Sequence, residues 1–209
     1  MTQTNKRVSG IILAAGGSKR INGIKQLLQF EGKPILGWVV ENALKSSLSR
    51  VIVVLGHAAE EIQKAVDLKK AKLVVNDRYD RGQSSSIQAG LNVVPDQDAG
   101  VMFLLGDQPL VRADVINTLI EAYQNKRSTL VIPTRHGRRG NPVLIDRSLF
   151  PRLESLTGDV GARVLFEEYA GQIREIEVES DGILFDVDTW DDYIELKKKG
   201  LPLQSRKVQ

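Results

Sequence analysis

The feature that most constrains this chain is the regular exchange of short apolar, β-branched runs with segments of helical apolar spacing. Runs at 8–13, 51–55, 73–75, 101–105, 130–132, 142–145, 173–178 and 183–187 read as strands, and 35–44, 59–66, 87–91, 113–123, 162–169 and 190–199 as helices. Pro34 fits the first turn of its helix, and Ser84-Ser85-Ser86 supply caps for the segment 87–91, leaving a helix start whose free N–H groups face the loop 76–83. Such alternation predicts an α/β protein, a three-layer α/β/α sandwich with a mostly parallel twisted sheet. Ligands then gather at the carboxyl ends of the strands. No Pro/Gly/Ser-rich linker divides the sequence, so residues 1–200 are expected to form one domain, with 201–209 as a tail.

Composition removes several classes of function. Zero cysteines exclude thiolate metal sites, cysteine nucleophiles and disulfides, and two histidines, His57 and His136, cannot build a three-histidine centre. Any metal must be held mainly by oxygen. A net charge of +3 over 209 residues suits anionic small molecules and falls far short of a nucleic-acid-binding footprint. No apolar run approaches membrane-spanning length, and the first ten residues hold no apolar signal core, so a cytoplasmic address is expected.

The first strand runs directly into Ala14-Ala15-Gly16-Gly17-Ser18, where side-chain bulk disappears, and Lys19, Arg20 and Lys25 follow at once. A bare backbone can turn its N–H groups toward an anion, and three nearby cations favour a polyphosphate. The competing reading is a tight strand-to-loop turn followed by solvated basic residues. Neither familiar phosphate loop fits. Gly23 is followed by Ile24 rather than Lys-Ser/Thr, and the second strand ends in Leu55-Gly56-His57 where a dinucleotide site needs an acid.

Acidic residues lie at two later edges. Gly106-Asp107-Gln108-Pro109 follows the fourth strand, which places Asp107 where a ligand would lie, although a turn aspartate is the plain alternative. In residues 183–189, alternation sets Asp186 and Asp188 opposite Ile183, Phe185 and Val187, while Asp188 is also a candidate cap for the last helix. Mg²⁺ takes one or two protein carboxylates together with waters and phosphate oxygens, so Asp107 and Asp188 suffice, with Asp186 ranked second. The run Gly82-Gln83-Ser84-Ser85-Ser86 lacks the last glycine of a hydrolase elbow and offers no serine nucleophile.

These residues resemble the MobA-like nucleotidyltransferases. Leu13, Gly16, Ser18, Arg20 and Lys25 fall in register with that family's signature loop, with Ile21 for the usual Met, Asn22 for the usual Gly, and Gly23 one place late. Val53-Val54-Leu55-Gly56, Gly82 to Ser86, Gly106 to Val111, Arg139-Gly140-Asn141-Pro142 and Gly158-Asp159-Val160-Gly161-Ala162-Arg163, in this order, resemble the molybdenum cofactor cytidylyltransferase (MocA-like) branch.

The resemblance implies a Rossmann-like nucleotidyltransferase fold and Mg²⁺-dependent transfer of CMP from CTP to the phosphate of molybdopterin, with release of pyrophosphate. It implies nucleotide contacts at Leu13, Ala14, Ala15, Gly16, Gly17, Ser18, Lys25, Gly56, Gly82, Ser84, Ser85 and Ser86. The acceptor would meet Arg139, Gly140, Asn141, Pro142, Gly158, Asp159 and Arg163, and a molybdoenzyme or its cofactor-insertion chaperone would be a protein partner. Catalytic work falls to Lys25, Arg20 and Asp107, and Ala15, where guanylyltransferases have Gly, is associated with cytosine. GTP or another phosphorylated acceptor, or a non-catalytic cofactor-binding protein, are the alternatives.

Overall fold

The structure of the protein, a computed structural model, describes residues 6–17, 20–125 and 128–201. Ten strands occur among these: β1 Val8–Ala14, β2 Gln29–Phe30, β3 Lys33–Pro34, β4 Arg50–Leu55, β5 Lys72–Val75, β6 Gly100–Leu105, β7 Leu130–Arg135, β8 Arg138–Arg139, β9 Val143–Asp146 and β10 Ile173–Glu177. The helices are α1 Ile35–Leu44, α2 Ala59–Ala65, α3 Gln83–Leu91, α4 Ala113–Asn125, α5 Phe150–Glu154, α6 Leu165–Glu168 and α7 Trp190–Lys199. The main sheet has the order β10-β7-β9-β6-β1-β4-β5, with β8 attached to β7, and β2 and β3 form a separate hairpin.

Strand β1 sits in the middle because both its faces are apolar. Ile12, with Val51, Val53, Leu55, Met102 and Leu104, packs one face of the sheet against α1, α2 and α4 through Leu36, Val39, Ile62, Ile116 and Ile120. Ile11, with Ile52, Val54, Val101 and Phe103, packs the other face against α3, α5 and α6 through Ile87, Leu91, Leu153 and Leu165. Three layers result, as the sequence predicts. β1 is parallel to both β4 and β6, and after β5 the chain crosses back to β6 on the far side of β1. That reversal makes the carboxyl ends of β1 and β6, Ala14 and Leu105, a topological switch point where a crevice opens.

Four expectations give way. Residues 183–187 are not a strand. Asp181–Leu184 is a 3-10 turn, and the chain then crosses the carboxyl ends of the sheet, where the Val187 amide donates to the Asp107 carbonyl at 3.1 Å. The alternation still buries Ile183 and Val187 completely, but Ile183 packs against Val115 of α4 and Val187 against Ile35 of α1 and Leu196 of α7 rather than within a ladder. Residues 162–169 break into a 3-10 turn and the four-residue α6. Helix α3 starts at Gln83 with Gly82 as its cap, so the three serines lie inside its first turns. Its first amides are engaged, Gln83 with the Asp159 carboxylate at 3.2 Å and Ser84 with the Gly158 carbonyl at 3.3 Å. Strand β9 runs antiparallel between β6 and β7, and residue 142 precedes it.

At the opposite edge, the buried Tyr123 hydroxyl reaches the Ala99 carbonyl at 2.7 Å and the Asp146 carboxylate at 2.6 Å, tying α4 to the ends of β6 and β9. Tyr123→Phe should therefore lower unfolding free energy by about 1–3 kcal/mol, since part-buried oxygens lose their donor. Urea denaturation with an unchanged m-value would register this loss.

Candidate active site

The crevice is built from loops that follow β1, β4 and β6. Beyond Ala14 the chain bends so that the His57 amide donates to the Ala15 carbonyl and the Gly106 amide to the Leu13 carbonyl, both at 3.0 Å. These bonds fasten the first loop to its two neighbours. A Cβ on Gly56 would lie 2.5 Å from Tyr79 Cβ, and one on Gly106 would lie 2.8 Å from Ala14 Cβ, so the loops meet closely only because those positions are glycine. The imidazole of His57 abuts Gly17 and stands edge-on to Tyr79 at 6.2 Å, joining Gly17, His57 and Tyr79 into one wall that leads to Gly82.

Lys25 opens a single 3-10 turn, Lys25–Leu27, and its ammonium donates to Asp107 Oδ2 at 2.6 Å and to Asp188 Oδ1 at 2.8 Å. Arg20 reaches the other oxygen of Asp188 at 2.9 Å. Two carboxylates, 82 and 163 positions along the chain from Lys25, thus share its one ammonium. Asp188 is available for this because Thr189, not Asp188, caps α7 in a reciprocal box with Asp192. Asp186 accepts a hydrogen bond from the buried Gln108, which sets it beside Asp107 without placing it on the ammonium in that bond.

Burial raises the Asp107 carboxyl above the ordinary carboxylate range, as does repulsion from Asp186 and Asp188, against the pull of Lys25. The hydrogen bond from Lys25, with help from Arg20, holds the partly exposed Asp188 below that range. For Lys25 burial acts downward, yet the two carboxylates outweigh it and keep the ammonium above its usual value. Lys25 is therefore charged at neutral pH.

This donor set fits a divalent ion. Asp107 Oδ1 is buried and has no hydrogen-bond partner among the described residues, which is costly for an anionic oxygen. Asp107 and Asp188 already converge on a cation. No group of three or more His, Cys, Asp or Glu able to hold an ion occurs among the described residues. The protein would supply two carboxylates, and phosphate oxygens and water the rest, a shell that suits Mg²⁺ or Mn²⁺.

The other expected site residues divide. Leu13, Ala14 and Gly16 lie at the end of β1, while Ser18 falls outside the described residues. Ala15 is 3% exposed and its methyl packs into the cluster beneath α3, so it presents almost no surface to a base. Ser84 and Ser86 are buried, and the hydroxyls of the three serines bind inward. Ser84 donates to the Gly158 carbonyl at 2.7 Å, Ser85 to the Arg78 and Gly82 carbonyls at 2.8 Å, and Asn76 donates to Ser85 and Ser86 at 2.9 and 3.0 Å.

Gly140, Asn141 and Pro142 back directly onto the segment that carries Asp188, with the Asn141 amide donating to the Ile183 carbonyl at 3.0 Å. Arg139 pairs with Glu175 at 2.7 Å and lies over the Phe166 ring of α6, and Arg163 is exposed. Gly158 and Asp159 cap α3 instead. Sequence reasoning missed Gln26, whose amide bonds the Ala14 and Gly16 carbonyls.

Residues 10–173 match the model of the MobA-like NTP transferase domain. The chain belongs to that family. Among MobA-like relatives, it is 31% identical over 190 residues to nicotine blue oxidoreductase of Paenarthrobacter nicotinovorans, covering 87% of this chain and 92% of that one. It is 26% identical over 193 residues to the molybdenum cofactor cytidylyltransferase of Escherichia coli, covering 90% and 95%. The crystal structure of Rv0371c from Mycobacterium tuberculosis superposes with a TM-score of 0.82 at 29% identity, covering 93% of this chain and all of that one. That protein has also been solved in complex with manganese, which matches with a TM-score of 0.79 at 28% identity over 92% and 99%. By family and fold this chain is a nucleotidyltransferase, and nucleotidyltransferases of this kind use divalent metals. No helix among the described residues is long and apolar enough to cross a membrane.

Proposed function

We propose that this protein transfers CMP from CTP to the terminal phosphate of molybdopterin, with Mg²⁺ as the divalent ion and pyrophosphate as the second product. The observation that carries the reading is the single ammonium of Lys25 shared by Asp107 and Asp188 at the switch point of the sheet. The MocA-like motif order and the relative of that activity support the cytidylyl and pterin assignments.

The acceptor phosphate is ionised near neutrality and needs no strong base, so catalysis reduces to placement and charge neutralisation. An oxygen of that phosphate attacks the α-phosphorus of CTP in line while the bond to the β-phosphate breaks. Asp107 and Asp188 would hold the divalent ion, which when bound neutralises phosphate charge. Lys25 and Arg20 place fixed positive charge where negative charge builds up on the oxygens of the pentavalent phosphorus and of the departing pyrophosphate. Gly140 and Asn141, which lie against Ile183 in the segment leading to Asp188, would line the acceptor side with Pro142, and the loop 15–17 would hold the triphosphate.

The similarity to nicotine blue oxidoreductase sets a second reading beside this one, in which the chain is an oxidoreductase. The two separate by product. Pyrophosphate should be released from CTP, in preference to GTP, only when molybdenum cofactor is present. Release with GTP alone or with another phosphorylated acceptor would reassign the substrates. No release from any nucleotide would overturn the transferase reading and leave a carrier of the cofactor or an oxidoreductase.

A further inference from the structure

Gln26 is 4% exposed, and burying a carboxamide is unfavourable unless its polar atoms are bonded. Its Nε2 donates to the Ala14 carbonyl at 3.2 Å and to the Gly16 carbonyl at 3.0 Å. The carbonyls on either side of Ala14 are also taken, Leu13 by the Gly106 amide and Ala15 by the His57 amide. Four successive carbonyl oxygens are thus bonded to protein donors. An oxygen bearing partial negative charge repels an anion, whereas amides attract one.

The amides of Gly16 and Gly17 donate to no protein acceptor among the described residues, and a Cβ on Gly16 would meet open space within 4 Å. The side chain that fixes the carbonyls adjoins Lys25, the residue that carries the ammonium.

We infer that Gln26 is a positioning residue for nucleotide binding: it locks the Ala14 and Gly16 carbonyls away from the crevice and leaves the Gly16 and Gly17 amides to meet a triphosphate, and it holds that loop and Lys25 as one unit. The inference rests on the nucleotidyltransferase reading above. It adds to that reading a residue that need not touch the nucleotide. Its role is to set the sign of the field the nucleotide meets.

The test is titration calorimetry of CTP into wild type, Gln26→Met and Gln26→Glu, with the thermal unfolding midpoint of each protein measured alongside. Met keeps the length and volume of Gln but donates nothing, and Glu sets an acceptor against two carbonyls. Loss of two hydrogen bonds predicts CTP affinity lower by about tenfold to a hundredfold in Gln26→Met and lower still in Gln26→Glu, with both variants folded at the assay temperature.

In steady state the same variant should raise KM for CTP more than it lowers kcat. Folded variants that bind CTP as wild type does would overturn the inference. So would variants that unfold at the assay temperature, since Gln26 would then serve the fold and not the cradle. Failure of wild type to bind any nucleoside triphosphate is a separate outcome, and it would strike the transferase reading itself.

Discussion

Lys25→Ala is expected to lower turnover at saturating CTP about a hundredfold or more, the usual effect of removing one preorganised charge-stabilising donor. The side chain is only 15% exposed and bridges two carboxylates, so its charge is held in one place by both of them. The same change leaves Asp107 and Asp188 facing each other without the ammonium that now separates them. Without nucleotide, the variant should melt at lower temperature than wild type, and Mn²⁺ should raise its midpoint more than it raises that of wild type, because the ion fills the place Lys25 has vacated. Turnover unchanged at saturating CTP would remove Lys25 from the mechanism. Absence of any added response to Mn²⁺ would remove the carboxylate pair from the metal.

The second large effect is expected at Asp107. Asp107→Ala should abolish Mg²⁺-dependent turnover while the protein stays folded, since the position lies in a glycine-flanked loop and not in the packed layers. Burial and two neighbouring carboxylates already disfavour its charged form, a cost that persists in the native protein only where a cation offsets it. Asp107→Asn, nearly isosteric, separates charge from shape and should be equally inactive. Activity close to wild type in either variant at ordinary Mg²⁺ would contradict the assignment, and circular dichroism checks that the fold is kept.

Much of the architecture was legible because continuous apolar strands and 3.6-residue helices leave different marks. Val51-Ile52-Val53-Val54-Leu55 could only be a strand buried on both faces, and α1, α4 and α7 follow their apolar spacing. Residues 183–187 misled because alternation records which side chains are buried and not what the backbone pairs with. Ile183 and Val187 are buried against helices α1, α4 and α7 while the Val187 amide goes to the Asp107 carbonyl.

Ser84-Ser85-Ser86 misled for a related reason. Serine caps a helix or binds locally with equal ease, and the Asp159 carboxylate, 76 residues away, competes for the end of α3. Asp107 was legible from its place just after β6, since a parallel sheet gathers its strand ends, whereas Lys25 and Asp188 stand on and after 3-10 turns and were reached through the family resemblance. Gln26 was not, because a carboxamide that reads backbone carbonyls has no periodicity and no motif of its own.

The most direct test of the central claim is a crystal structure with CTP and Mn²⁺ bound. The account predicts an anomalous peak coordinated by one oxygen each of Asp107 and Asp188 and by nucleotide phosphate oxygens, with the Lys25 ammonium moved onto the phosphates. A manganese ion bound away from both carboxylates, or a triphosphate lying outside the loop that follows β1, would contradict it.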